Sequence, residues 1–122
     1  MGKSAEITKD ERIKKTINRL KKLLKNLPSE KKKVAEGLVQ RIAFMQVTLE
    51  DLEADINENG TVEQFSQTPD IVYERERPAA RIYNTTIKNY TSACKQLFDL
   101  LPDDKPKPDT DELMNFLKGA KK

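Results

Sequence analysis

The sequence predicts an all-α protein. A long antiparallel helical hairpin forms its core, with a basic helix before it, a short β-hairpin or extended arm at 61–77, and a short C-terminal helix. Three observations carry this expectation. Apolar residues recur at spacings of three and four over 13–27, 34–56 and 83–101, which is the period of one helix face. Pro28, Gly60, Pro78 and Pro102 stand at the edges of these runs, where helices start or stop. Between Gly60 and Pro78 the helical period fails.

The first element is expected over 8–28. Thr8 and Glu11 have the spacing of a capping box, which satisfies two free amides at a helix start. Ile13, Ile17, Leu20, Leu24 and Leu27 then form one apolar stripe, and Pro28 ends it, because the residue before proline disfavours helical dihedrals. A long helix is expected over 29–59, with Ser29 as its N-cap and Gly60 as its C-terminal stop. Its main stripe is Val34, Leu38, Ile42, Met45, Leu49, Leu52 and Ile56; Val39, Ala43, Phe44 and Val47 make a second strip. Two apolar strips imply two neighbours. In 61–77, Val62 with Phe65 and Ile71 with Tyr73 flank Thr68-Pro69-Asp70, a turn signal.

A third helix is expected over 78–102, with Pro78 in its first turn and the stripe Tyr83, Ile87, Tyr90, Cys94, Leu97 and Leu101. Residues 103–122 read as a proline-rich charged linker and a short helix whose apolar face is Leu113, Met114, Phe116 and Leu117. Residues 1–102 are therefore expected to be one helical domain, with 103–122 a linker and tail. Only 36% of the chain is hydrophobic and 35% is charged. The core is small, and small domains gain from oligomerisation.

Charge is segregated along the chain. Residues 1–33 carry twelve Lys/Arg against four Asp/Glu, a net of +8; residues 34–75 carry two against nine, a net of −7; the rest is +2. Lys14, Lys15, Arg19, Lys21, Lys22 and Lys25 flank the first stripe, and Lys31, Lys32 and Lys33 open the long helix. Such density neutralises phosphates and releases counterions, giving salt-sensitive DNA binding. The alternative is a solvated amphipathic helix, or a basic end that meets the acidic middle of a neighbouring copy. The third helix departs from this pattern. From Ile82 to Ala93 it carries one charge, Lys88. Its neutral groups Asn84, Thr85, Asn89 and Ser92, with Lys88, are candidates for a contact between subunits. Amides and hydroxyls are satisfied there by hydrogen bonds, whereas buried charges cost far more.

Several classes of chemistry are not expected. The chain has one cysteine and no histidine, which removes an intrachain disulfide, Cys/His zinc sites and histidine-based triads. No glycine-rich phosphate loop occurs. Glu50, Asp51, Glu53, Asp55 and Glu58 spread over two helix faces, so they read as a solvated face or as partners of a basic helix rather than a metal site. Cys94 lies on an apolar stripe and reads as a structural thiol. The expectation is a non-enzymatic intracellular protein without cofactor, metal or membrane span. The opening "MGKSAEITKDER" has no apolar signal core. Its Glu6 stands where a myristoylation signal carries Ser or Thr.

The segments "AFMQVTLEDLEADINENG" and "RPAARIYNTTIKNYTSACKQLFDLLP" together resemble the small terminase subunits of tailed bacteriophages, particularly of phages infecting Gram-positive bacteria. The resemblance spans roughly residues 8–102. It implies a non-catalytic, ring-forming subunit of a DNA-packaging motor in the cytoplasm of the infected host. Its implied partners are viral double-stranded DNA, further copies of itself, and the large subunit that supplies ATPase and nuclease. Under that resemblance the basic residues of the first two helices would meet DNA, and Leu113, Met114, Phe116 and Leu117 would dock the large subunit. Many family members use an N-terminal helix-turn-helix, for which this chain has no clear signature. The alternative function is a helical oligomeric scaffold or adaptor that does not bind DNA.

Overall fold

In the computed structural model, which describes residues 7–102, the chain is mostly helical, with three α-helices and one two-stranded antiparallel sheet. The segment with Leu113, Met114, Phe116 and Leu117 lies outside the described residues.

Helix α1 spans Lys9–Lys21. Its capping box is complete: Glu11 N–H donates to Thr8 Oγ1 at 3.1 Å, and Thr8 N–H donates to Glu11 Oε1 at 3.0 Å. The α geometry ends before the expected boundary at 28. One 3-10 turn, Lys22–Leu24, follows, and Leu27 N–H bonds the Leu24 carbonyl at 3.1 Å. Such tightening is common at helix ends. Here Leu24 and Leu27 are both buried.

Helix α2 spans Ser29–Asn59, about 46 Å at 1.5 Å per residue. Ser29 is its first helical residue and not its cap. Pro28 holds the cap position at φ −59°, ψ 155°, with no side-chain cap bond. Its carbonyl accepts from Lys32 N–H at 2.8 Å, and its fixed φ sets the entry into the helix. At the other end Gly60 has φ 81° and ψ −172°, a region essentially reserved for glycine. Helix α3 spans Pro78–Asp99, with proline in its first turn. It stops three residues before the expected end at 102, since Leu101 precedes Pro102 and is biased away from helical dihedrals.

Helix α2 is the common partner of α1 and α3. Arg77 meets Asp55, Tyr83 meets Glu53 and Tyr90 meets Gln46. The partner falls along α2 as the residue rises along α3, so the two helices run antiparallel. One core cluster contains Leu20, Leu24, Ala35, Val39, Ile42, Tyr90, Cys94 and Leu97. The second strip of α2 is buried at Val39, Ala43 and Val47, as two neighbours require. Two expected core positions are exposed: Val34 at 59% and Phe44 at 53%. Ala35 takes the inward place beside the α1 end, and Phe44 lies on the surface under the Lys9 ammonium, 4.8 Å from its ring centre.

At 61–77, where the sequence leaves a hairpin or an extended arm open, strands β1 (Val62–Thr68) and β2 (Ile71–Glu76) form a hairpin, with a register irregularity between Ser66 and Thr68. Its base is tied by Arg77. The guanidinium donates to the Gly60 carbonyl at 2.8 Å and to both Asp55 oxygens at 3.1 and 3.0 Å, and Arg77 N–H reaches the Thr61 carbonyl at 2.9 Å.

Candidate nucleic-acid interface

The turn between α1 and α2 folds two basic segments onto each other. Lys21, Lys22 and Lys25 from the end of α1 and Lys32 from the first turns of α2 line one groove of about 440 Å³, together with Asn18, Leu24 and Glu36. The four lysines are exposed. Lys14 continues this line along α1, since 14, 18 and 21 are spaced four and three, which is one helix face. Lys15, Lys31 and Lys33 are exposed but do not line the groove. Arg19 is half-buried, with its Nε out of solvent, and its charge acts on the Tyr90 hydroxyl. It belongs to the inner side of α1. The structure thus gathers four of the nine predicted basic residues in one groove.

A polar relay holds α1, and with it the groove, against the rest of the bundle. Tyr90 donates to Gln46 Oε1; Gln46 Nε2 donates to Glu50 Oε2 at 2.8 Å; Arg12 donates to Glu50 Oε1 at 2.9 Å and to Asp51 Oδ1 at 2.7 Å. The chain of contacts passes from α3 through α2 to α1. The inner members, Tyr90 and Gln46, satisfy groups that burial would otherwise leave costly. The hydrogen bond to Asp51 raises the Arg12 pKa, with Glu50 adding to it. Burial pushes the Tyr90 hydroxyl far above its ordinary range, and it pushes the Cys94 thiol one turn on up to about 12. Cys94 is therefore a neutral, buried group.

Four carboxylates of the acidic middle have partners within the chain. Glu50 and Asp51 take Arg12, and Glu53 accepts from Tyr83 at 3.1 Å. Asp55 is held below the usual carboxylate range by Asn59, whose amide donates at 2.6 Å, and by Arg77. Among the described residues no cluster of three metal-ligating side chains occurs, and no helix is long and apolar enough to cross a membrane. The contact candidates on α3, Asn84, Thr85, Lys88, Asn89 and Ser92, are all exposed.

Arg12, Gln46 and Arg77 were not singled out by sequence pattern. Gln46 carried a signal: it is a polar residue between Ala43 and Leu49 on an apolar part of α2, and a buried amide needs partners. Comparison with family models, with curated proteins and with solved structures found no match.

Proposed function

We propose that this chain is the small, non-catalytic subunit of a viral DNA-packaging motor, of the small-terminase kind. It assembles as a homo-oligomeric ring in the cytoplasm of an infected bacterium, binds double-stranded viral DNA and recruits a large ATPase/nuclease subunit. The long α2–α3 pair is the helical hairpin on which this assembly is built. The observation that carries the reading is the groove where Lys21, Lys22, Lys25 and Lys32 converge. An ammonium group is a compact point charge suited to phosphate. Four of them in one groove bind the backbone of a duplex, and the sequence of the bases has little part in the contact.

The test is the salt dependence of duplex retention. Each neutralised phosphate contributes about −0.9 to the slope of log affinity against log salt. Four contacts therefore weaken binding about a hundredfold between 50 and 200 mM salt. Replacing Lys21, Lys22, Lys25 and Lys32 by alanine together should flatten the slope by about 3 to 4. The Lys31→Ala/Lys33→Ala pair should change it less. An unchanged slope in the fourfold variant would remove the groove as the DNA site. A wild-type protein not retained by duplex at 50 mM salt would remove direct DNA binding.

A further inference from the structure

The hairpin has two unlike faces. The register pairs Glu63 with Arg75 and Phe65 with Tyr73 on one face, because residues directly opposite in an antiparallel ladder share a side. That face is partly covered by its own side chains, with Tyr73 still 44% exposed. Arg75 bonds Glu63 at 2.8 Å and stacks 3.8 Å over the Phe65 ring, and the Phe65 and Tyr73 rings lie 5.5 Å apart. The other face holds Val62, Gln64, Ser66, Val72, Glu74 and Glu76, all of them exposed. Val62 is 49% and Val72 57% exposed. A two-stranded hairpin in water is marginal by itself, and this one leaves Val62 and Val72 uncovered on that face, with Ile71 also exposed beside the turn.

A matching surface lies on α3. Ile87, Lys88, Thr91, Ser92 and Lys95 line a shallow groove of about 430 Å³ on the outer side of that helix. Ile87 and Thr91 are half-buried and supply an apolar floor, and Lys88 and Lys95 are exposed at its edges. The hairpin face presents the complementary set: Val72 beside Glu74, with Glu76 beyond. Glu74 and Glu76 stand about 7 Å apart on a strand. Lys88 and Lys95 stand about 10.5 Å apart along a helix. Long lysine stems absorb the difference. Glu74 receives only a 3.5 Å contact from Gln64, and Glu76 a 3.3 Å contact from the exposed Arg81.

We infer that the open face of the β-hairpin docks on the Ile87–Lys95 groove of α3 in a second copy of this chain. Both halves of the match are on one polypeptide and both are open in it, so copies can join head to tail through a heterologous contact. Such contacts generate rings when the rotation between copies closes. The inference rests on the homo-oligomer of the proposed function and assigns its mating surfaces. It also gives two of the contact candidates on α3, Lys88 and Ser92, a partner: Val72 covers the apolar floor, and Glu74 and Glu76 pair with Lys88 and Lys95.

Charge exchange tests it on the full chain, with mass in solution as the readout. Glu74→Lys/Glu76→Lys and Lys88→Glu/Lys95→Glu should each raise the dissociation constant of assembly about tenfold or more, since like charges then face each other across the contact. The variant with all four changes should return it close to wild type. The substituted side chains are exposed, and thermal melting by circular dichroism verifies that each variant folds. A second measurement uses mixing. Val72→Cys chains mixed with Ser92→Cys chains should form a disulfide-linked pair under mild oxidation, whereas buried Cys94 does not compete. Wild-type assembly with both charge-pair variants assembling equally well would overturn the docking while leaving the ring intact. So would a four-change variant that fails to recover. A wild-type chain that stays monomeric at all concentrations would overturn the ring and the docking together.

Discussion

The helical bundle and the β-hairpin are fastened by the same chemistry and end in different states. In each, one arginine grips carboxylates from α2: Arg12 holds Glu50 and Asp51, and Arg77 holds Asp55. In the bundle, that grip caps a relay running inward through Gln46 to Tyr90, against a core that includes Leu20, Ile42 and Leu97. In the hairpin it fastens only the base, and beyond it the strands hold each other. The lesson concerns what stands behind an ion pair. Exposed pairs contribute about 0 to 1 kcal/mol, while each fully buried aliphatic side chain contributes about 1.5 to 3 kcal/mol. The bundle is held by burial and positioned by its polar relay. The hairpin is positioned by Arg77, and one face still lacks burial.

Substitutions in the two regions test this contrast. The largest effect is expected in the bundle. Ile42→Ala, at a position with no exposure, should cost about 2 to 5 kcal/mol in chemical denaturation. A loss under 1 kcal/mol would mean that the bundle is not the stabilising unit. Next comes the relay. Tyr90→Phe leaves the buried Gln46 carbonyl without its donor and should cost about 1 to 3 kcal/mol. Tyr83→Phe, at the half-buried bond to Glu53, should cost less, because water can replace the lost donor there. Equal losses would show that the two sites do not differ in burial as described. The smallest effect belongs to the hairpin. Val72→Ser should move the stability of the isolated chain by no more than about 0.5 kcal/mol. A loss as large as that of Ile42→Ala would make the hairpin part of the core.

Local chemistry was legible in the residues. The Thr8–Glu11 box, proline at the start of α3, glycine at the end of α2 and the Pro69-Asp70 turn all act within a few positions. Their geometry follows from short-range sterics and hydrogen bonds. Ser29 misled because the proline before it already occupied the cap. Val34 and Phe44 misled because a long helix with two strips has several rotations about its axis that satisfy periodicity. Only the neighbours choose among them. The candidate site was legible in part: the lysines stood out, but nothing in the one-dimensional pattern places Lys32 across a groove from Lys21 and Lys25.

Composition and spacing already give a chain that is helical, interrupted between Gly60 and Pro78, basic at the front and acidic in the middle, without histidine chemistry. Tertiary structure alone decided which lysines share a groove, which carboxylates Arg12 takes, and that Gln46 meets Tyr90 from 44 positions away. The physical reason is range. Caps, turns and helical periods are set by interactions a few bonds long, which each residue carries with it. The choice of partner across the bundle depends on how two long helices rotate and slide until their cores fill.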